Sequence, residues 1–355
     1  MNRNGLRLLV LADSRSFHTE RYVRQLRRQG CRVLLASLER GSTLHFHLRR
    51  VGPLKTLHYA LSRFQVKQLV SRFEPDIVNP HFVSGYGSVV SWPWLRLRVP
   101  IFTHLWGSDI LVVPEKSRLH HWKTARGLKA ANFVCADSEY LLSKARRVAD
   151  FRAPSAVVPW GIEREFLALH KPEYQIRKPL KMIVARSHEA VYRNVMIVRA
   201  LFEQIRAQSV ELTFPGFGSE YHQFRTETST MVGDSLRFYD RMPRNAFMKF
   251  MAEHDVYLSN SALDSSPASM IEAMALGLIP VAASHPGLTE WLDSSSGFVY
   301  DADSENALSK IVGELSESQN TFEDMRRRNL ERVRQNAVFE DNVARIIELM
   351  SGLTG

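Results

Sequence analysis

The stretch from Val256 to Ala283 constrains the fold of this chain more than any other. Val256-Tyr257-Leu258 is a short apolar run that reads as the end of a buried strand. Ser259 to Ser266 is a polar loop. Ser266 is placed to cap a helix and Pro267 to fill its first position, where a missing N–H costs nothing. Ala268 to Leu276 are good helix formers nearly throughout, Gly277 is the expected stop, and Leu278 to Ala283 read as a second buried strand. A helix that is apolar nearly all round has to be covered on every side. Strand, buried helix and strand in succession imply the layers of an α/β fold.

Glu272 breaks that apolar pattern. A carboxylate buried without partners is costly, so something must satisfy it. Two readings stand at this point. In one, Glu272 pairs with a buried Arg, and Asp264 just ahead of the helix is an ordinary loop residue. In the other, Glu272 and Asp264 hold hydroxyls, and the helix start at Ser265, Ser266, Pro267 and Ala268 holds phosphate, helped by the helix dipole. A nucleotide sugar carries both kinds of group.

A length of 355 residues suits two domains. No apolar run approaches the roughly 18 residues of a membrane span. Leu6 to Ala12 is too short for a signal peptide and is followed by Asp13 and Arg15, so a cytoplasmic protein is expected. Cys31 and Cys135 sit in apolar contexts and read as core residues in a reducing compartment. Charge is divided unevenly. Residues 1–170 hold 27 Lys and Arg against 12 Asp and Glu, whereas the remainder holds 20 against 25. The basic half therefore faces something anionic: a membrane surface, a lipid-phosphate acceptor or nucleic acid. His45 to Phe73 is basic, with Leu54, Leu57, Leu61, Phe64 and Leu69 at roughly helical spacing. It reads either as a membrane-surface helix or as a charged face over an ordinary core stripe.

The chain opens with a strand over Leu6 to Ala12, a turn to Thr19, a helix from Glu20 to Gln29 and a strand from Cys31 to Ser37. That is a β-α-β unit without a Gly-x-Gly-x-x-Gly turn, which argues against a dinucleotide fingerprint. Further strands are expected at Pro75 to His81, Val99 to His104, Asn132 to Ser138 and Leu180 to Ala185. Gly85-Tyr-Gly87 is expected to open a helix, Ser138 to cap one, and Val338 to Met350 to form the last.

The stretch from Asp264 to Glu290 resembles the donor-binding signature of retaining glycosyltransferases of family 4. That signature has an acid and then Pro, followed by Glu-Ala-Met-Ala-x-Gly-x-Pro-Val-Val-Ala. Pro267, Glu272, Ala273, Met274, Ala275, Gly277, Pro280, Val281 and Ala283 match, and Pro286-Gly287 with Glu290 is similar to the Gly-Gly-x-x-Glu that follows. The first acid, usually Glu, is here Asp264. Ser16 to Tyr22 resembles the family's opening loop, which brings His18 to the acceptor side. Thr103 to Asp109 resembles Thr-x-His-Gly-x-Asp, which brings His104 and Asp109 there too, with Trp106 where the family often has His. Val157 to Glu163, then Phe166, is similar to Val-x-Pro-Asn-Gly-Ile-Asp and a Phe. Arg186 and Arg193 stand where the family holds the donor diphosphate with Arg and Lys. Gly216 and Gly218 resemble the family's Gly-x-Gly strand end, and Met242 lies in the turn that contacts the base, with Asp240 replacing a Gly.

The resemblance implies the GT-B fold: α/β, two Rossmann-like domains with parallel sheets facing an interdomain cleft. It implies an acceptor-binding domain over 1–166, a linker over 167–179, a nucleotide-sugar-binding domain over 180–335, and a C-terminal helix over 336–355 that crosses back. The implied activity is transfer of a sugar, hexosyl in type, from a UDP- or GDP-sugar to a hydroxyl of a glycan or lipid-linked acceptor, with retention of configuration. Cell-envelope polysaccharide or lipopolysaccharide biosynthesis is the implied setting, at the inner face of an anionic membrane. Glu272 would hold the ribose, Asp264 the sugar, and Arg186 and Arg193 the diphosphate, whose charge grows as the glycosidic bond breaks. No cofactor and no metal is expected, because the arginines and the helix start supply the positive charge. Asp301-Ala-Asp303 resembles a metal-binding Asp-x-Asp only superficially. No nucleic acid is expected as partner. Two other readings are a nucleotide-sugar epimerase of the same fold and a non-catalytic sugar-nucleotide or nucleic-acid binding protein.

Overall fold

The computed structural model describes residues 5–41, 46–49, 55–92, 97–171, 178–304, 306–318 and 322–354, with 55–61 as backbone alone. Its contacts divide into two units, Met1–Pro159 with Glu340–Gly355, and Trp160–Phe339.

In the first unit the strands are β1 (Arg7–Leu11), β2 (Arg32–Ser37), β3 (Phe46–His47), β4 (Ile77–Pro80), β5 (Phe102–His104), β6 (Phe133–Ala136) and β7 (Ser155–Val157). Pairing is parallel throughout, in the orders β3-β2-β1-β4 and β5-β6-β7. Parallel bridges at Val78–Ile101 and His81–His104 join β4 to β5. Leu8 to Leu11 are all fully buried, as expected of a strand covered on both faces. The last helix, Phe339–Ser351, is tied to this unit: Asn342 Nδ2 donates to the Pro159 carbonyl at 2.7 Å and Gln29 Nε2 to that of Glu340 at 2.8 Å.

Three local expectations change here. The first helix runs Phe17–Arg28, three residues earlier than its apolar spacing suggests, because Asp13 closes the preceding turn by accepting from Ser16 N. Gly85-Tyr-Gly87 does not open a helix but completes a π-helical turn, Phe82–Gly87, that leads into Ser88–Val90. In the helix Lys55–Phe73, Leu69 and Val66 are buried while Phe64 is 58% exposed. Leu54 and the side chains of Leu57 and Leu61 lie outside the described residues. No helix among the described residues is long and apolar enough to cross a membrane.

The second unit holds β8 (Leu180–Ile183), β9 (Val210–Pro215), β10 (Arg237–Tyr239), β11 (Val256–Ser259), β12 (Ile279–Ala283) and β13 (Phe298–Tyr300). They form one parallel sheet in the order β10-β9-β8-β11-β12-β13. Both units are thus Rossmann-like, as the sequence implies. The helix Ala268–Leu276 connects β11 to β12, and Ser269 through Leu276 are all buried. It closes at Gly277, in the left-handed conformation at φ 90°. Its start differs from expectation by one residue. Pro267 occupies the cap position at ψ 72°, outside the helical range, and Ser266 accepts from Ala268 N through its carbonyl, not its hydroxyl. Phe166, in the turn Arg164–Leu169, is buried in this unit's core, and 172–177 lie outside the described residues.

Candidate active site

The loops beyond the carboxyl ends of parallel strands are where such sheets bind ligands. Arg186 follows β8, and Asp264 lies in the loop between β11 and the buried helix. The two are brought together in a short ion pair, Arg186 Nη2 to Asp264 Oδ2, with both side chains largely buried. Burial pushes the Asp264 carboxyl above the ordinary aspartate range, and Arg186 draws it part of the way back. Tyr192 lies 5.3 Å from the Arg186 guanidinium.

Glu272 is buried and meets Arg244 Nη1 at 2.7 Å. Arg244 also donates to Glu163 Oε2, through Nη2 at 2.8 Å and Nε at 3.3 Å. One guanidinium is therefore shared by two carboxylates, and they hold it charged against the cost of burial. This is the buried Arg that the plainer reading of Glu272 calls for, and neither Arg244 nor Glu163 emerges from the sequence as a site residue. A signal was there: Arg244 begins the helix Arg244–Met251, and a cation at that end opposes the dipole unless acids hold it.

The loop carrying Asp264 and Ser265 is seated by Gly287. A Cβ on Gly287 would stand 2.4 Å from the Asp264 carbonyl oxygen and 2.8 Å from that of Ser265, so a larger residue there must displace the loop. Ser265 and Pro267 are buried, Ser266 and Ala268 half-buried. Tyr257 reaches Ser269 Oγ at 2.8 Å, and its burial raises the phenol above its usual range. Gly216 N donates to the Tyr239 carbonyl at 2.7 Å. Gly218, at φ 136°, lets the loop after β9 press on His188: a Cβ there would lie 2.3 Å from its amide nitrogen. Met242 packs against the core of the unit. The neighbouring Arg241 stacks on Phe217 at 4.2 Å. Arg193 is not drawn to these carboxylates. It sits in the left-handed conformation at φ 47°, and its nearest acid is Asp303 at 4.0 Å, both side chains well exposed.

In the first unit, Asn79 is a hub. Its Nδ2 donates to the Phe102 carbonyl at 2.6 Å and to His104 Nδ1 at 3.0 Å, and its Oδ1 accepts from Tyr22 at 3.1 Å and His81 Nε2 at 3.0 Å. Trp106 Nε1 donates to His81 Nδ1 at 3.0 Å. An indole only donates, so His81 must carry its proton on Nε2; the Asn79 amide fixes His104 in the same way. Both imidazoles are held neutral. Burial pushes His81 well below the usual range and His104 down to about 3. Asp109 accepts from Trp106 N at 2.9 Å and Val83 N at 2.8 Å, one amide to each oxygen, and burial raises its carboxyl to about 6. His18 is half-buried, with its ring edge-on to Trp106 at 5.9 Å.

These groups give the first unit a signed response to acid. A histidine whose folded pKa is depressed keeps its full contribution above about 6.5 and loses it as pH falls. A carboxyl whose folded pKa is raised does the reverse. At pH 5 the two histidines withdraw stability, and Asp109, whose shift has the opposite sign, returns a smaller part of it. The first unit is therefore expected to be less stable at pH 5 than at pH 7, by on the order of a few kcal/mol. Urea unfolding at both values checks this, and an unchanged midpoint would contradict the neutral network.

Comparisons with known proteins agree with this architecture. Residues 7–138 match the model of the glycosyl transferase 4-like family, and residues 171–332 that of glycosyl transferases group 1. The chain is 26% identical over 307 residues to the amylovoran biosynthesis glycosyltransferase AmsK of Erwinia amylovora, covering 81% of this chain and 72% of AmsK. It is 21% identical over 244 residues to the putative teichuronic acid biosynthesis glycosyltransferase TuaC of Bacillus subtilis (strain 168), covering 67% of this chain and 60% of TuaC. Among solved structures, HepE of Anabaena in complex with UDP-glucose superimposes with a TM-score of 0.78 at 17% identity, covering 98% of this chain and all of HepE. HepE has also been solved with UDP and with UDP and glucose. The chain belongs to the family 4-like, group 1 glycosyltransferases and has their GT-B fold.

Proposed function

We propose that this chain is a retaining glycosyltransferase that moves a hexosyl group from a nucleotide sugar to a hydroxyl of a glycan or lipid-linked acceptor. The observation that carries this is the pair of carboxylates at one buried helix, Asp264 held by Arg186 and Glu272 held by Arg244. A buried acid stays ionised only with such a partner, and an ionised acid is what accepts from sugar hydroxyls. Glu272 takes the ribose hydroxyls and Asp264 the donor sugar. The loop from Ser265 to Ala268 and Arg186 take the diphosphate, with Arg193 at its margin; Gly216, Gly218 and Met242 border the base. Developing negative charge on the leaving diphosphate is met by fixed guanidiniums. We assign no protein nucleophile: the donor phosphate takes the acceptor proton, so both bonds form and break on one face of the sugar. No metal or cofactor is assigned a part.

On the first unit, His18 is the acceptor-side group. His104 and Asp109 act behind it: Asp109 accepts from the amides of Trp106 and Val83, and His104 accepts from Asn79. HepE's complex with UDP-glucose favours a UDP-sugar over a GDP-sugar, and the names of TuaC and AmsK favour an envelope polysaccharide. Lipopolysaccharide remains within the same acceptor class, and a cytoplasmic site at the membrane face suits both. The test is transfer from a labelled UDP-sugar to lipid-linked oligosaccharide, with the anomeric configuration of the product read by NMR. An inverted product would overturn the retaining assignment. Release of epimerised nucleotide sugar without transfer would favour the epimerase.

A further inference from the structure

The first unit carries a cluster of aromatic and cationic side chains that no step above uses. The Arg126 guanidinium lies in the corner of two indoles, 4.2 Å from the Trp92 ring and 4.4 Å from that of Trp122. The indoles meet edge-on at 6.5 Å. Arg63 continues the chain of contacts, 4.7 Å from Trp92 and 4.9 Å from Phe64. Large apolar side chains stay exposed at its edges: Phe64 at 58%, Trp122 at 49% and, one turn before it on the helix Arg118–Ala130, Leu119 at 51%. Scattered exposed apolar residues are ordinary, but apolar groups gathered around cations mark a binding surface.

We propose that this surface, from Phe64 across Trp92 to Trp122 and Leu119, docks the protein on a bilayer of anionic lipid. Trp122, Leu119 and Phe64 enter the interfacial layer, while Arg63 and Lys123 face the lipid phosphates; Arg126 stands behind the indoles, donating to the Ser88 carbonyl at 3.0 Å and to Ser91 Oγ at 3.2 Å. Charge complementarity selects this partner. Among the described residues no carboxylate pairs with Lys123 or Arg126; the inward bonds of Arg126 go to the neutral groups of Ser88 and Ser91, and residues 1–170 hold 27 Lys and Arg against 12 Asp and Glu. Burial, and then a neighbouring cation, lowers the pKa of both. A phosphate layer relieves that crowding, whereas a neutral protein surface does not. An exposed Leu beside Trp also suits acyl chains better than the stacked bases of a nucleic acid. The inference names the membrane partner of the proposed transferase, but it rests on the first unit alone.

The experiment is cosedimentation of the full chain with vesicles of phosphatidylcholine, and of phosphatidylcholine and phosphatidylglycerol in about equal parts. Binding is expected to the mixed vesicles only. Leu119→Ser with Trp122→Ser, and separately Lys123→Glu, should each lower the partition coefficient about tenfold or more. A cooperative melting transition at the wild-type temperature shows that these variants fold. Should the Ser variant fail to fold, Trp122→Phe replaces it and removes fluorescence quenched by brominated lipid. Failure of the wild type to bind mixed vesicles, or variants that bind as it does, overturns the proposal. So does binding to single-stranded nucleic acid that the same substitutions abolish. If vesicle binding behaves as expected but no nucleotide sugar shifts the melt, the transferase reading fails and the docking surface stands.

Discussion

Arg186→Ala is expected to cost the protein stability and turnover together. The substitution leaves Asp264 buried without its guanidinium, which is worth about 3–5 kcal/mol when one partner of a buried pair is removed. Turnover should fall about 100- to 1000-fold, the usual effect of losing one fixed donor to developing charge. The stability loss has a pH signature. Without Arg186, Asp264 takes up a proton in the folded state well above its unfolded pKa. Such a group stabilises the fold at low pH and withdraws that stability as pH rises through the folded value. The variant should therefore be nearer wild type at pH 5 than at pH 8 in urea titrations. Adding Asp264→Asn should restore most of the stability at pH 8 and none of the turnover. A variant equally stable at both pH values would show that the pair is not buried in solution, and one with normal turnover would remove Arg186 from the diphosphate.

Arg244→Met should produce the second large effect. Glu163 and Glu272 both bond the same guanidinium. Deprived of it, Glu272 is left buried without a countercharge beside the half-buried Glu163. A loss of about 3–5 kcal/mol is expected, with a donor KM that rises as Glu272 loses its positioning partner. The double variant Arg244→Met/Glu163→Gln removes one negative charge and should recover donor KM toward wild type. A single variant whose KM equals that of the double one would show that charge at Glu272 is irrelevant to donor binding.

Much of this was legible in the sequence. The buried helix was fixed by strong helix formers between two apolar runs, and Gly277 closes it as its residue type requires. Ser138 caps its helix through Leu141 N at 3.1 Å, as a serine ahead of Glu-Tyr-Leu-Leu should. Local rules failed where the chain is held from a distance. Pro267 was placed inside the helix by propensity, yet the loop fixes it at ψ 72°. The partner of Glu272 was invisible because Arg244 comes from another helix and Glu163 from the turn ahead of Phe166. The resemblance brings Asp109 and His104 to the acceptor side, and no sequence pattern reveals that two backbone amides and Asn79 engage them.

The most direct test of the donor site is thermal denaturation of wild type and Glu272→Ala with a panel of UDP-, GDP- and ADP-sugars. Arg244 keeps Glu163 as partner in this variant, so the fold should survive. One nucleotide series, UDP first, is expected to raise the melting temperature of wild type and to leave Glu272→Ala unmoved. A folded wild type that none of the sugars shifts, or a Glu272→Ala protein stabilised as strongly as wild type, would contradict it.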